Sequence, residues 1–409
     1  MTSIALSVGA SARTHANASM PGGSAAPATT VERVRWRMGI EARALLLLTA
    51  VLLAWGLAVL YSASAIQALD EGRSGAYYVL RQAEGAIAGI IIFAVSAKVD
   101  AGRWEKWAWP LMILSLVTMC IVILPWTASI APRVNGSRRF LVGSSMQPSE
   151  LAKLAVVVWT AMLVVRKGET LRRLTKGLGP FLVVIGLLDL FAILEPDLST
   201  AMMYTLVMGV VLFAGGVRIG HFVALGILSI PLLWHEMQRL TYVLNRLLVF
   251  YTDRSGLDNI GYQLKQSLIA VGSGGLLGVG FGEGRQQLGY LPLPFNDFIA
   301  GNIGEEWGFV GITSVTVAFA LWAWLGFRIA RQARSTFLQL VAVGLTFTVS
   351  ITAFLHIGVV IGLLPTTGLT LPFISFGRSN LLLSLLMTGM LVNIGSTREK
   401  VADVARATA

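Results

Sequence analysis

The stretch ALLLLTAVLLAWGLAVLYSASAI, residues 44–66, decides the fold class of this chain. It contains no charged residue and is long enough to cross a hydrocarbon core, which takes about 20 residues of helix. Its apolar residues fall on every side of a helix instead of along one stripe, so such a helix has no face suited to water. The stretch therefore predicts a transmembrane helix.

The composition extends this interpretation to the whole chain. Of 409 residues, 55% are hydrophobic and only 13% are charged, with a mean hydropathy of +0.72. Soluble domains carry roughly 25% charged residues, so a soluble enzyme, a disordered chain and a fibrous protein are excluded. A window of about 20 residues gives about ten spans and predicts an all-α polytopic membrane protein. The predicted spans are residues 44–66, 78–97, 106–126, 148–165, 178–194, 199–217, 219–235, 307–329, 337–363 and 380–396.

The net charge of +11 could indicate a nucleic-acid partner, but its distribution indicates membrane orientation. With the N-terminus in the cytoplasm, about 20 of the 32 Lys and Arg residues fall on the cytoplasmic side, as the positive-inside rule requires. We therefore expect both termini in the cytoplasm and no nucleic-acid partner. The tails are residues 1–43, a basic segment whose first 30 residues have the composition of disordered chain, and residues 397–409.

The long connection between predicted spans seven and eight, residues 236–306, breaks the pattern of short loops. It contains apolar segments and a glycine-rich run at 272–284, so we expect an ordered, partly helical outer loop that packs back on the membrane domain. The glycines do not match the GxGxxG or Walker spacing and instead favour tight turns and close helix approach. The single Cys120 excludes an intramolecular disulfide, and the four histidines show no metal-ligand spacing.

A first polar cluster lies on the outer side just before and within predicted span four. Arg138 and Arg139 oppose the positive-inside trend, and Glu150 and Lys153 follow at i,i+3 on one helix face. Two interpretations stay open for this cluster. One is a structural ion pair, and the other is an anion site in which the arginines bind phosphate with Lys153 below them.

Three further polar clusters lie at the same end. The segment 195–200 contains Asp197, which could simply cap the next helix. Asp297 is a carboxylate flanked by apolar residues, which suits a general base, with a helix N-cap as the alternative. The proline- and glycine-rich segment 364–380 ends near Arg378, and broken backbone at membrane depth needs protein or a polar cavity around it. Together the clusters predict one outer cavity for an amphiphile with an anionic head and a long hydrocarbon tail.

Six motifs closely resemble the SEDS family (shape, elongation, division and sporulation proteins), in order along residues 44–396. They are NGSRRFLVGSSMQPSELAKLA (135–155), EPDLSTA (195–201), YQLKQSLIAVGSGGLLGVGFG (262–282), RQQLGYLP (285–292), DFIAGNIGEEWGFVG (297–311) and GLLPTTGLTLPFISFG (362–377). The first and last motifs are more similar to the FtsW-like cell-division branch than to the RodA-like elongation branch. The sequence departs from the family at Phe295-Asn296-Asp297 and at Gly377-Arg378-Ser379-Asn380, and the second departure puts anion contacts near that loop in doubt.

The resemblance implies a peptidoglycan glycosyltransferase that polymerises lipid II during septal wall synthesis in the bacterial cytoplasmic membrane. It implies Asp297 as the catalytic residue. It also implies a class B penicillin-binding protein, a transpeptidase, and other divisome membrane proteins as partners, with lipid II and undecaprenyl-pyrophosphate-linked glycan as ligands. The expected substrate-binding residues are Arg138, Arg139, Gln147, Ser149, Glu150, Lys153, Lys265 and Arg378.

Two other functions stay open at this stage, a lipid II flippase and a non-catalytic scaffold that recruits the transpeptidase. Transport would need polar residues that reach both leaflets, whereas the polar clusters here share one side. A scaffold would need no carboxylate such as Asp297 in an apolar loop. The sequence predicts no metal-ligand residues, and it does not establish whether a divalent cation, Mg²⁺ or Mn²⁺, assists the departing pyrophosphate.

Overall fold

The computed structural model describes residues 31–127, 131–132, 138–141, 146–172, 177–239 and 259–403. In this part of the chain the architecture is helical. The helices are α1 (Ile40–Asp70), α2 (Tyr77–Lys98), α3 (Trp104–Ile123), α4 (Pro148–Lys167), α5 (Gly179–Leu194), α6 (Leu198–Ala214), α7 (Ile219–Arg239), α8 (Asn259–Ser273), α9 (Ile299–Arg331), α10 (Thr336–Val360) and α11 (Arg378–Ile394). They belong to one compact unit, Arg37–Thr397.

Each of the ten predicted spans overlaps one helix, namely α1 to α7 and α9 to α11. Among the described residues, α1, α2, α3, α4, α9 and α10 are long and apolar enough to cross a membrane, and α5, α6 and α11 are shorter apolar helices. The helical membrane fold is therefore confirmed, while the number of ten crossings stays a prediction. The remaining helix, α8, lies in the long outer loop, which is partly helical as predicted.

Among the six long apolar helices, α4 and α10 are the most buried. About 78% of the apolar window of α4 and 72% of that of α10 are buried, against 28% to 33% for α1, α2, α3 and α9. Pro148 occupies the first position of α4, where its missing N–H costs no hydrogen bond, and Gly168 ends the helix at φ 48°. The buried position of α4 matters because its first turns carry Glu150 and Lys153.

The start of α9 differs from the prediction. Span eight was expected at 307–329, yet the helix begins at Ile299, and Gly308 interrupts it at φ 65° and ψ −157°. The glycine-rich segment packs directly on this break: the N–H of Val279 donates to the Glu305 carbonyl at 2.9 Å, and the N–H of Phe309 donates to the Gly275 carbonyl at 2.8 Å. A Cβ at Gly278 would collide with the Glu306 backbone. The glycines thus permit close backbone approach, as expected.

Outside the helices, β1 (Val31–Met38) and β2 (Ser396–Asp403) form a two-stranded sheet. Residues 1–30 of the predicted N-terminal tail lie outside the described residues. The remainder of that tail contains β1 and the start of α1. The alternation of arginine with Val34, Trp36 and Met38 gives the period of two that a strand requires.

Candidate functional site

A polar cavity of about 510 Å³ lies where the loops after α1, α3, α5 and α10 meet the starts of α2, α4, α6 and α11. Five cationic side chains and three carboxylates are among the described residues that line it. The lining consists of Arg73, Tyr77, Tyr78, Arg81, Arg139, Phe140, Gln147, Glu150, Lys153, Asp197, Thr200, Leu293, Asn296, Asp297, Gly368, Leu369, Thr370, Phe376, Gly377, Arg378, Ser379 and Asn380. The four predicted clusters therefore meet in one place.

The first turns of α4 supply a buried ion pair. Lys153 Nζ lies 2.6 Å from Glu150 Oε1, and the lysine side chain is only 4% exposed. The predicted i,i+3 pairing is confirmed, and both residues also line the cavity. A buried ion pair of this kind is costly to break, because the remaining partner would be an uncompensated charge.

Arg139 is held by the connection between α5 and α6. Its Nε donates to the Glu195 carbonyl at 3.0 Å, its Nη2 donates to the Pro196 carbonyl at 2.6 Å, and its Nη1 lies 3.7 Å from Asp197 Oδ2. These contacts fix the guanidinium at the cavity edge. The two arginines predicted to bind phosphate therefore lie in different surroundings. Arg139 lines the cavity, whereas Arg138 is not among the described lining residues and its Nη1 donates to the Leu124 carbonyl at 3.1 Å.

Asp197 is the N-cap of α6, and its Oδ1 accepts from the Thr200 N–H at 3.1 Å. The capping interpretation is therefore confirmed for this residue. Two positions earlier, Glu195 is buried, and neither side-chain oxygen has a hydrogen-bond partner within the described residues. The pKa of Glu195 is raised to about 8, chiefly by burial and also by the Asp197 charge, while the Arg139 charge opposes the rise. Glu195 therefore holds its proton more tightly than an exposed glutamate does.

Asp297 lies in a segment that aromatic packing holds in place. Phe295 and Phe298 are buried, while Asp297 itself is partly exposed at the cavity. The N-cap position of α9 is Phe298, one residue after Asp297, and its side chain makes no capping hydrogen bond. The Phe376 N–H donates to the Phe295 carbonyl at 2.9 Å, which ties the segment to the loop before α11.

The loop between α10 and α11 closes the cavity from the other side. Ser375 Oγ donates to the Asn296 carbonyl at 2.7 Å, and the Gln147 N–H donates to Ser379 Oγ at 3.0 Å. A Cβ built on Gly368 would lie 3.7 Å from Asp297 Oδ2, so the backbone passes close to the carboxylate. Arg378, at the first position of α11, also lines the cavity. The loop thus connects the α4 start with the Asp297 segment.

Sequence reasoning missed one wall of the cavity, the α2 wall, which consists of Arg73, Tyr77, Tyr78 and Arg81 at and just before the start of α2. Tyr77, the first residue of α2, lies near two arginines: Arg73 in the preceding loop, with its Cζ 4.3 Å from the ring centroid, and Arg81 in α2, with its Cζ 5.5 Å away, both within cation–π range. Tyr78 packs against Phe295, with ring centroids 4.5 Å apart, and joins this wall to the Asp297 segment. A signal was present, because both arginines fall on the predicted outer side against the positive-inside trend.

Besides Arg138, two further predicted substrate-binding residues lie elsewhere in the described structure. Ser149 is buried in the first turn of α4, where its carbonyl accepts from the Tyr204 hydroxyl at 2.9 Å. Lys265 is exposed on α8. Neither is among the residues that line the cavity.

The described part of the chain gathers no group of three or more His, Cys, Asp or Glu side chains that could hold a metal ion. The carboxylates among the described residues that line the cavity are Glu150, Asp197 and Asp297. A divalent cation would therefore have to combine few protein oxygens with oxygens of a bound phosphate, an arrangement that Mg²⁺ commonly adopts.

Fold and cavity together define a multi-pass helical membrane protein with a cation-rich site at one end. A family model described as cell cycle protein, covering FtsW, RodA and SpoVE, matches residues 43–400. The chain belongs to this family, which agrees with the resemblance to SEDS proteins.

Two curated relatives illustrate the similarity. A probable peptidoglycan glycosyltransferase FtsW of Trichlorobacter lovleyi is 36% identical over 354 residues, which cover 86% of this chain and 92% of the relative. Stage V sporulation protein E of Bacillus subtilis is 35% identical over 352 residues, which cover 86% and 95%. Several further relatives at 33% to 35% identity also carry the FtsW name, which favours the division branch.

Solved structures agree with the fold. A chain from a peptidoglycan synthase complex, in which polymerization and crosslinking are structurally coordinated, matches with a TM-score of 0.71 and 25% identity over 86% of this chain and 97% of that one. The rod shape determining protein RodA of Thermus thermophilus matches with a TM-score of 0.62 and 24% identity, covering 86% and 95%.

Proposed function

We propose that the chain is a peptidoglycan glycosyltransferase that polymerises lipid II into glycan strands at the outer face of the bacterial cytoplasmic membrane, during septal wall synthesis. The names of the relatives support the enzyme class and the division role. The observation that carries the proposal is that Asp297 reaches a cavity lined by five cationic side chains. A carboxylate near several cations suits a reaction that removes a proton and expels an anion.

In this mechanism the 4-hydroxyl of the acceptor GlcNAc attacks the anomeric carbon of a lipid-pyrophosphate donor. A new C–O glycosidic bond forms, the bond to the pyrophosphate oxygen breaks with its electron pair, and Asp297 accepts the hydroxyl proton. The Phe295 and Phe298 packing and the hydrogen bond from Phe376 position the Asp297 backbone. Because attack and departure occur on opposite faces, the configuration inverts.

Arg139 and Lys153 stabilise the charge that develops on the departing pyrophosphate. Their geometry supports this role, since backbone carbonyls fix Arg139 and Glu150 fixes Lys153 before any substrate arrives. Gln147, Glu150 and Arg378 complete this part of the cavity as substrate contacts or positioning residues. The contacts of Arg138 and the buried position of Ser149 favour support of the site, and Lys265 on α8 stays a proposal for contacts with the growing strand.

The α2 wall offers a separate binding site for the pyrophosphate of the acceptor. Polymerisation needs a donor and an acceptor that each carry a pyrophosphate, and the cations of the cavity lie on different elements. Arg73 and Arg81 lie around Tyr77, with Arg73 also 3.5 Å from Glu71, whereas Arg139 and Lys153 lie beside Asp197 and Glu150 elsewhere in the cavity. We assign the acceptor head group to the α2 wall for this reason. A divalent cation in this cavity would be held by carboxylate oxygens such as those of Asp297, and it would supply further stabilisation of the charge on the departing pyrophosphate.

The remaining parts of the proposal follow from orientation and partners. The outer face holds the cavity and both termini lie in the cytoplasm, because most cationic residues are on that side. Residues 44–396 form the catalytic membrane domain, and 1–43 and 397–409 form the cytoplasmic tails. A class B penicillin-binding protein is the partner transpeptidase, as the match to a chain from a peptidoglycan synthase complex supports. Other divisome membrane proteins place the enzyme at the septum.

Reconstitution in liposomes with purified lipid II and the partner transpeptidase tests the function. Glycan chains from wild type, and none from Asp297→Asn, are the expected result. Translocated lipid II without chains would indicate a flippase, and neither product would indicate a scaffold. The confinement of the cavity to one end of the bundle favours surface chemistry over transport.

A further inference from the structure

A second cavity lies at the far end of α9 from the substrate site. The helix begins two residues after Asp297, is interrupted at Gly308 and ends at Arg331, and at about 1.5 Å per residue the part after the break, 309–331, is roughly 35 Å long. The cavity has a volume of about 470 Å³ and is lined by Trp324, Arg328, Arg331 and Gln332. This volume suits a ligand the size of a lipid head group, and its position separates it from the proposed reaction.

The cavity continues an exposed apolar stripe. Val317, Leu321, Trp324, Arg328 and Arg331 follow one another at intervals of three and four residues, so they share one face of α9. Val317 and Leu321 are each 48% exposed, and Trp324 is 53% exposed. The stripe is apolar toward the middle of the helix and cationic at its end, which matches a molecule with a hydrocarbon chain and an anionic head.

The two arginines differ in how they are held. Arg328 Cζ lies 5.0 Å from the Trp324 ring centroid, and its Nη2 is 3.2 Å from Glu41 Oε1. Gln332 Nε2 donates to the same Glu41 oxygen at 3.0 Å. Arg331 is exposed and has no hydrogen bond or ion pair within the described residues. Among the described residues, the cavity thus combines one guanidinium held by Glu41 and Trp324 with one, that of Arg331, that makes no such contact.

We propose that this face of α9 binds a phospholipid with an anionic head group from the leaflet that it contacts. The phosphate contacts Arg328 and Arg331, and an acyl chain lies along Val317 and Leu321. A tryptophan beside the arginines is typical of the membrane interface. The bound lipid fixes the depth of the helix whose other end follows Asp297.

Native mass spectrometry of the full chain in detergent, titrated with phosphatidylglycerol or phosphatidylcholine, tests this site. We expect a retained phosphatidylglycerol, little phosphatidylcholine and no displacement by inorganic phosphate. A basic residue near an anionic surface contributes about fivefold in binding, so Arg328→Gln with Arg331→Gln should weaken phosphatidylglycerol binding about twentyfold. Glu41→Gln should strengthen it, because it removes the carboxylate that competes for Arg328.

The matched control removes two exposed cations that are predicted on the same side, by Arg103→Gln with Lys106→Gln. This control should keep wild-type binding. Arg331→Gln alone, which disturbs no contact in the described structure, should weaken binding about fivefold and guards against misfolding of the double variant. Equal loss in the control, or wild-type binding in both the single and the double arginine variants, would overturn the proposal.

Discussion

Two aspartates line the same cavity and are placed for different tasks. Asp197 caps α6 through the Thr200 N–H and lies beside Arg139, so its local partners account for its charge. Asp297 comes before a helix whose N-cap is Phe298, and its neighbours are the buried rings of Phe295 and Phe298. The comparison teaches that a position in the cavity does not define a role. The contacts of the surrounding backbone and charges do.

The largest expected effect comes from the same substitution at the two aspartates. Asp297→Asn should lower lipid II polymerisation by about 10²–10⁴, because a general base is lost. Asp197→Asn keeps the hydrogen-bond acceptor that caps α6 and should lower it by less than about tenfold. Both rates are measured with the partner transpeptidase present. Similar losses in the two variants would show that Asp297 has no special role.

The next effect concerns the Glu150–Lys153 pair that supports the cavity. Lys153→Ala leaves a buried carboxylate without its partner and should cost about 3–5 kcal/mol of stability. Glu150→Gln combined with Lys153→Met removes both charges at similar volume and should recover most of that stability. The measurement is the thermal midpoint of the purified chain in one detergent. If the double variant is as unstable as Lys153→Ala, the cost arises from packing and not from charge.

Two pairs of residues, Glu150 with Lys153 and Arg138 with Arg139, show how far the sequence could predict contacts in the site. Glu150 and Lys153 are local, so their i,i+3 spacing on a helix suffices to predict the contact that the structure has. Arg138 and Arg139 are neighbours in sequence, yet one reaches Leu124 and the other reaches Glu195 and Pro196. Which carbonyl an arginine reaches depends on how distant segments pack, and a local pattern contains no information on that.

The sequence did not predict the start of α9 or the α2 wall, because both depend on contacts between segments that are distant in sequence. A hydropathy window detects the apolar run after residue 307, but the helical turn from Ile299 depends on the glycine-rich segment that packs on the break at Gly308. The helices that overlap the predicted spans were predictable because each is a long apolar run that must satisfy its own backbone. The Arg73–Tyr77–Arg81 cluster required the knowledge that α2 borders the cavity.

Glu195, between the Arg139 contacts and Asp197, predicts a pH dependence of stability. Its folded pKa of about 8 lies above the ordinary value of 4.5, so the folded state binds the proton more tightly. The resulting stabilisation is complete below about pH 4.5, declines as pH rises and is lost above about pH 8. It amounts to a few kcal/mol at most, at 1.36 kcal/mol per pKa unit.

Thermal midpoints between pH 5 and pH 8.5 measure this effect. Wild type should become less stable with rising pH, and Glu195→Gln, which stays neutral, should show a flatter profile. Glu169→Gln removes a carboxylate on the exposed segment after α4 and serves as the control with an unchanged slope. Parallel profiles for wild type and Glu195→Gln would mean that another group titrates.

The smallest effect isolates the cap from the charge at Asp197. Asp197→Ala removes the acceptor for the Thr200 N–H and should cost about 1 kcal/mol, whereas Asp197→Ser keeps a capping oxygen and should cost clearly less. Both variants also remove the charge 3.7 Å from Arg139, so any change in polymerisation that they share reports on that contact. A difference in thermal midpoint without a difference in rate assigns the cap to folding. A shared loss of polymerisation rate would mean that Asp197 helps to orient Arg139. Asp197 would then contribute to catalysis as well as to folding, and the contrast with Asp297 would be weaker.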